Sequence, residues 1–307
     1  MHVWQFAAVQ FNQKVLITGT LLQGKPRSST TSSTWLGHFI RMMRSYFRPV
    51  CKHQSVTIHL ANQQQVSVTT NYKGYFSTMV AGQVTPELRL EVAGQSLELP
   101  THYPVVFDRT NANIEVVSDI DDTILLSHTA SFIKRIGTIL FRRPKKRRTI
   151  VFSHGLFKQF KNFGTRVIYL SKSESNLFGL ISAVVQYQQL PEGPLLLTPY
   201  LSLRQLFNAK KGKDYKLDFL KLICENLPNK KLVLMGDDSQ RDMEIYTQVA
   251  KMHPDKILKV YIRQTRFSRN EEQWQKLQET GVNAMYFNDA DSAEKESELL
   301  KELKQAT

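Results

Sequence analysis

Three aspartates crowd the end of a short apolar run, Ile114-Glu-Val-Val-Ser-Asp119-Ile-Asp121-Asp122-Thr123. A second run, Lys231-Leu-Val-Leu-Met-Gly236-Asp237-Asp238-Ser-Gln-Arg-Asp242, ends the same way. Carboxylates this close repel one another unless a proton or a cation compensates them. Hard oxygen donors suit Mg²⁺. Asp119 and Asp121, two positions apart, can share a face and a cation, and Asp237 can complete the shell. A further apolar run between the two clusters ends in Leu170-Ser171, whose hydroxyl and following amides could hold phosphoryl oxygens. Lys216 opens an expected helix upstream of the second cluster and would supply positive charge for a transferring anion. A lysine there is, taken alone, usually a solvated surface residue. An acidic turn capping the next element would account for the first cluster by itself. The second cluster moves the reading to a cation-centred phosphate site.

Such a site needs strands that end together. From about residue 112 the pattern alternates between strands and helices. The expected strands are Ile114–Val117, Arg166–Leu170, Leu232–Met235, Ile257–Ile262 and Ala284–Phe287. The expected helices cover about 175–188, 215–226, 241–252, 270–280 and 292–304. That alternation predicts an α/β fold, a doubly wound parallel sheet with helices on both faces. In such a sheet, ligands bind outside the carboxyl ends of the strands. The first third reads instead as short strands at β spacing, among them Val15–Leu21, Val56–Leu60, Val66–Val68 and Leu88–Gly94, with a turn at 71–76. It predicts a small antiparallel β-sandwich. The expected domains are therefore 1–111, β-sandwich-like with a basic helical insertion at Trp35–Phe47, and 112–307, carrying the carboxylates.

The composition excludes a disordered chain or a small disulfide-stapled scaffold: 41% of the 307 residues are hydrophobic and only two are cysteine. Cys51 and Cys224 are expected to be reduced packing residues. There is no run of about 18 apolar residues to span a bilayer, and no secretory signal is expected from the first residues. The expected location is cytoplasmic, soluble or peripheral to a membrane. The net charge is +14, and it is unevenly spread. Residues 1–86 hold eight Lys or Arg and no acid, and residues 123–173 hold twelve and no acid. Blocks of this kind favour a polyanionic partner.

In their order, Asp119-x-Asp121-x-Thr123, Ser171, Lys216 and Gly236-Asp237…Asp242 resemble the four motifs of the haloacid dehalogenase (HAD) phosphatase superfamily. The longer strings Ser118-Asp-Ile-Asp-Asp-Thr-Ile, Tyr169-Leu-Ser-Lys-Ser-Glu-Ser-Asn-Leu, Tyr215-Lys-Leu and Leu234-Met-Gly-Asp-Asp-Ser-Gln-Arg-Asp-Met-Glu-Ile-Tyr246 resemble the App1-type phosphatidate phosphatase catalytic domain, over roughly residues 112–265. The resemblance implies a HAD-like fold and a Mg²⁺-dependent phosphomonoesterase. It makes Asp119 the nucleophile that forms an aspartyl-phosphate and Asp121 the acid/base. It has Thr123 and Ser171 bind the phosphate environment, and Lys216 stabilise the nucleophile and the phosphoryl charge. Asp119, the backbone carbonyl of Asp121 and Asp237 would hold the metal, with Asp242 joining that shell or orienting the lysine. The chain departs from the family at Glu174-Ser175, where Pro-Trp is common, at Tyr215, where His is usual, and at Asp238, where Ser is frequent.

The resemblance implies phosphatidate as substrate. Ala130-Ser-Phe-Ile-Lys-Arg-Ile-Gly-Thr-Ile-Leu-Phe141 is a largely apolar stretch that runs into Arg142-Arg-Pro-Lys-Lys-Arg-Arg148, six cations in seven positions. That pairing predicts peripheral contact with an anionic membrane. A soluble phosphomonoester, a nucleic-acid terminal phosphate and a non-catalytic lipid-binding module are the competing readings. Nucleic acid fits less well, because the basic stretch lacks the interleaved aromatic residues of a single-strand groove.

Overall fold

A computed structural model of the protein describes residues 1–24, 47–120, 151–199, 215–238, 241–265 and 268–288. The expected helices at Trp35–Phe47 (save Phe47) and 292–304, and the basic stretch 142–148, lie outside the described residues. The chain divides into two compact units. One comprises Met1–Arg109, Lys172–Ser182 and Pro194–Lys213; the other comprises Thr110–Ser171, Ala183–Gly193 and Asp214–Thr307.

In the first unit, β1 (His2–Gln10), β2 (Lys14–Leu22), β5 (Tyr75–Ala81) and β8 (Val106–Phe107) form one sheet in the order β5-β2-β1-β8. A second sheet has the order β4-β3-β6-β7, from β3 (Ser55–His59), β4 (Gln65–Thr69), β6 (Arg89–Val92) and β7 (Gln95–Leu97). Pairing is antiparallel except between β1 and β8. One apolar cluster takes Phe6, Ala8, Val15 and Ile17 from the first sheet and Val56, Ile58, Leu90 and Val92 from the second. On β3 buried residues alternate with more exposed ones, and on β4 half-buried residues alternate with exposed ones, as expected where one face meets solvent. On β1 and β2 nearly every residue is buried. That is why His2–Gln10 carries no alternation and does not read as a strand in the sequence.

The parallel sheet has six strands in the order β11-β10-β9-β12-β13-β14. They are β9 (Ile114–Ser118), β10 (Val167–Glu174), β11 (Leu195–Thr198), β12 (Lys231–Asp237), β13 (Ile257–Arg263) and β14 (Ala284–Phe287). The β10–β9, β9–β12, β12–β13 and β13–β14 pairings are all parallel. The helices are α1 (Val151–Asn162), α2 (Phe178–Tyr187), α3 (Tyr215–Asn226), α4 (Asp242–Met252) and α5 (Glu271–Gln278). All five expected strands and the four expected helices within the described residues are present, α2 after a short turn of 3₁₀ helix at Ser175–Leu177. The helix α1 and the strand β11 were not anticipated.

A buried ion triad pins the amino ends of the central strands. Glu115, second residue of β9, is fully buried, yet its carboxylate accepts from Arg166 Nε at 2.8 Å and from Lys230 Nζ at 2.7 Å. Lys230 also donates to the carbonyl of Thr110 at 2.9 Å. Paired in this way the charges are tolerated in a dry setting, and removal of one would leave the others uncompensated.

Candidate active site

The register of the sheet gathers the site at the carboxyl ends of adjacent strands. Ser118 of β9 lies opposite Tyr169 of β10 and Met235 of β12. Asp119, Ser171 and Asp237 therefore follow on three neighbouring strands at one edge, the position expected for a ligand site in a parallel sheet. All three are buried, with 1% of Asp119 and none of Ser171 or Asp237 exposed.

Helix α3 brings the lysine. Lys216, Phe219, Leu220, Ile223 and Cys224 are its buried residues, and they recur at the spacing of one helical face. Lys216 thus stands on the apolar stripe and is drawn inward. Its Nζ lies 3.0 Å from Asp119 Oδ1 and 2.7 Å from Asp242 Oδ1. Burial pulls its proton affinity down, but the carboxylates of Asp119, Asp242 and Asp237 outweigh it and hold the ammonium above the ordinary lysine range.

Helix α4 brings Asp242 in its first turn, where a carboxylate also suits the helix dipole. One oxygen of Asp242 accepts from Lys216 and the other from the Asp237 amide at 3.4 Å. One turn on, the Tyr246 hydroxyl donates to the Met235 carbonyl at 2.9 Å, and the same carbonyl accepts the Asp119 amide at 2.8 Å. Gly236 makes this close approach feasible. A Cβ there would stand 2.7 Å from Asp242 Oδ2 and 2.8 Å from the Tyr246 ring.

Asp119, Asp237 and Asp242 each offer a carboxylate oxygen, and the three oxygens lie within 4.8 Å of one another. Three buried carboxylates against one ammonium leave an excess of negative charge, and the donors are hard oxygens. Both properties fit a divalent cation such as Mg²⁺. Asp238, next in sequence, faces elsewhere. Its carboxylate accepts from the Thr265 amide at 2.8 Å, from the Thr265 hydroxyl, and from the Tyr286 hydroxyl at 3.0 Å. It ties the ends of β12, β13 and β14 together.

Of the residues singled out in the sequence, Asp119, Lys216, Asp237 and Asp242 meet in one cluster and Ser171 lies on the same sheet edge. Asp121 and Thr123 fall outside the described residues. Tyr246 and Gly236 lie in the string Leu234–Tyr246, and their part in holding the cluster is visible only in the structure. The four-residue step from Asp242 to Tyr246, one turn of a helix, was the signal available for Tyr246.

The fold and this cluster define an α/β domain with a buried acidic centre at the carboxyl edge of a parallel sheet. Residues 114–264, just under half of the chain, match the family described as phosphatidate phosphatase APP1, catalytic domain, and the chain is similar to that family over this segment. It is 28% identical over 162 residues to the phosphatidate phosphatase APP1 of Saccharomyces cerevisiae, covering 49% of this chain and 26% of that protein. It is 24% identical over 212 residues to an uncharacterized protein of Schizosaccharomyces pombe, covering 65% of this chain and 34% of that protein. The chain thus spans about a third or less of the length of these relatives. Among solved structures, a carbohydrate acetylesterase from Xanthomonas citri aligns with a TM-score of 0.32 at 8% identity, over 91% of this chain and 65% of that one. The PilB minor pilin from Streptococcus sanguinis aligns with a TM-score of 0.33 at 10% identity, over 99% and 78%. Likenesses this slight imply nothing about fold or function.

Proposed function

We propose that this chain is a Mg²⁺-dependent phosphatidate phosphatase with a HAD-like catalytic domain at 112–307, preceded by a β-sandwich at 1–111. The observation that carries the reading is the ammonium of Lys216, buried 3.0 Å from Asp119 beside two further carboxylates. It lies within a segment that matches a phosphatidate phosphatase catalytic domain.

In this reading an oxygen of Asp119 attacks the phosphorus, and the bond from phosphorus to the diacylglycerol oxygen breaks. The departing alkoxide takes a proton from Asp121. Asp121 then removes a proton from water, whose oxygen attacks the aspartyl-phosphate and returns Asp119 as phosphate leaves. Lys216 orients the Asp119 carboxylate and offsets the charge that builds on the phosphoryl oxygens. Asp242 holds Lys216 in place, while Ser171 and Thr123 serve the phosphate oxygens. Asp119 and Asp237, with Asp242 beside them, would hold the cation, which when bound supplies charge neutralisation and in-line alignment of the phosphate.

Phosphate release from phosphatidate in mixed micelles, compared with release from a short soluble phosphomonoester, tests the substrate. Preference for the lipid is expected. Release from the soluble ester alone would keep the chemistry and reject the lipid.

A further inference from the structure

The first unit carries exposed aromatic and basic residues on two hydrogen-bonded segments. These segments, 47–54 and 70–75, are laced together by main-chain and side-chain bonds. The Thr70 carbonyl accepts from the His53 amide at 3.0 Å, and its hydroxyl donates to the Cys51 carbonyl at 2.7 Å. The Gln54 amide donates to that hydroxyl at 2.9 Å. The Asn71 side chain accepts from the Lys73 and Tyr75 amides and closes the turn, in which Gly74 takes a φ of 69°. A Cβ at Gly74 would stand 2.9 Å from the Val50 side chain, so the turn sits directly on the neighbouring segment.

The two segments present Phe47 and Tyr72, which are 69% and 56% exposed. Their neighbours are Arg48, Lys52 and Lys73, with the Lys73 ammonium 5.6 Å from the centre of the Tyr72 ring. These two segments contain no acid, and the first acid in the chain is Glu87. Large exposed aromatic rings on two hydrogen-bonded segments whose only Asp, Glu, Lys or Arg residues are cations suit the headgroup layer of an anionic bilayer. There the rings sit among headgroups and the cations meet negative surface potential.

We propose that the tip formed by Phe47, Arg48, Lys52, Tyr72 and Lys73 docks this protein on anionic membrane surfaces. The proposal deepens the phosphatase reading, and rests on it to the extent that a substrate embedded in a bilayer requires the enzyme to reach one. The proposal does not include the basic stretch 142–148.

The test uses the full chain and vesicles of phosphatidylcholine with and without phosphatidylserine. Phosphatidylserine has no phosphomonoester, so binding does not depend on Asp119. Wild type is expected to co-sediment with the anionic vesicles. Lys52→Glu combined with Lys73→Glu should weaken partitioning about tenfold or more, with hydrolysis of a soluble ester unchanged. Tyr72→Trp should be quenched by brominated lipid, which places the tip at the membrane whatever other segments bind. Absence of vesicle binding, unchanged partitioning in the double variant, or a Trp at 72 that brominated lipid leaves unquenched would each overturn the proposal. Failure of wild type to hydrolyse any ester would count against the catalytic reading and leave the vesicle result to decide the docking surface.

Discussion

The main-chain amide of Asp119 and the phenol of Tyr246 donate to one acceptor, the Met235 carbonyl, at 2.8 and 2.9 Å. The end of β9, the end of β12 and the first turns of α4 are thereby held at a single atom. Asp242, one turn before Tyr246, is held in turn against the Asp237 amide and Lys216. Tyr246→Phe removes one buried hydrogen bond and should cost about 1 kcal/mol of stability. If the shared carbonyl sets the position of Asp119, kcat should fall about tenfold with KM little changed. A matching loss of Tm with unaltered kcat would limit Tyr246 to a structural role.

Gly236→Ala would drive a methyl group into Asp242 and the Tyr246 ring. Overpacking of this kind costs about 1–3 kcal/mol. Because the displaced group is a carboxylate of the acidic cluster, the Mg²⁺ concentration giving half-maximal activity should rise. Thermal melts and Mg²⁺ titrations of the variant check both effects.

Lys216→Met would leave buried carboxylates without their ammonium and should destabilise the metal-free protein by about 3–5 kcal/mol. Mg²⁺ should recover part of that loss by binding the folded state, measured as a shift in urea midpoint with and without the ion. The pH dependence has a definite sign. A lysine whose proton is held more tightly folded than unfolded contributes its full stability below the unfolded value of about 10.4. That contribution is lost as pH rises past this value toward the higher folded one. Stability between about pH 6 and 9 should therefore show no slope from this residue, and a fall should begin above about pH 10.

Cys224 is a free thiol whose burial, opposed by Lys256 and reinforced by Glu225, pushes its pKa up to about 11. Burial also raises Cys51. Thiolate is the reactive form, so a disulfide reagent at pH 8 should leave both thiols unmodified in the folded protein and modify both after denaturation. Rapid labelling of the native protein would contradict the packing around them.

The catalytic half of the fold was legible because fully buried parallel strands leave uninterrupted apolar runs, and each run that ended in Asp or Ser pointed to the carboxyl edge. Lys216 was legible as the lysine that opens a helix upstream of the second cluster and as a residue of the matching motifs, whereas its place on the buried stripe with Phe219, Leu220, Ile223 and Cys224 is what the structure adds. The first strand was not, because burial of nearly every residue from His2 to Gln10 erases the alternation by which a strand is recognised. Nor was the role of Asp238. It sits beside a metal-ligand candidate in sequence, but its partners, Thr265 and Tyr286, are contributed by later parts of the chain. Glu115 is a similar case: a carboxylate inside a strand gives no hint of the Arg166 and Lys230 that make its burial tolerable.

The most direct test is phosphate release from phosphatidate by wild type and Asp119→Asn, each with Mg²⁺ and with a chelator, on protein shown to be folded by its melting curve. Release by wild type that requires Mg²⁺ and falls by at least about 10³-fold in Asp119→Asn is the predicted result. Release that survives in folded Asp119→Asn, or that is indifferent to Mg²⁺, would contradict a nucleophilic Asp119 at a metal-dependent centre.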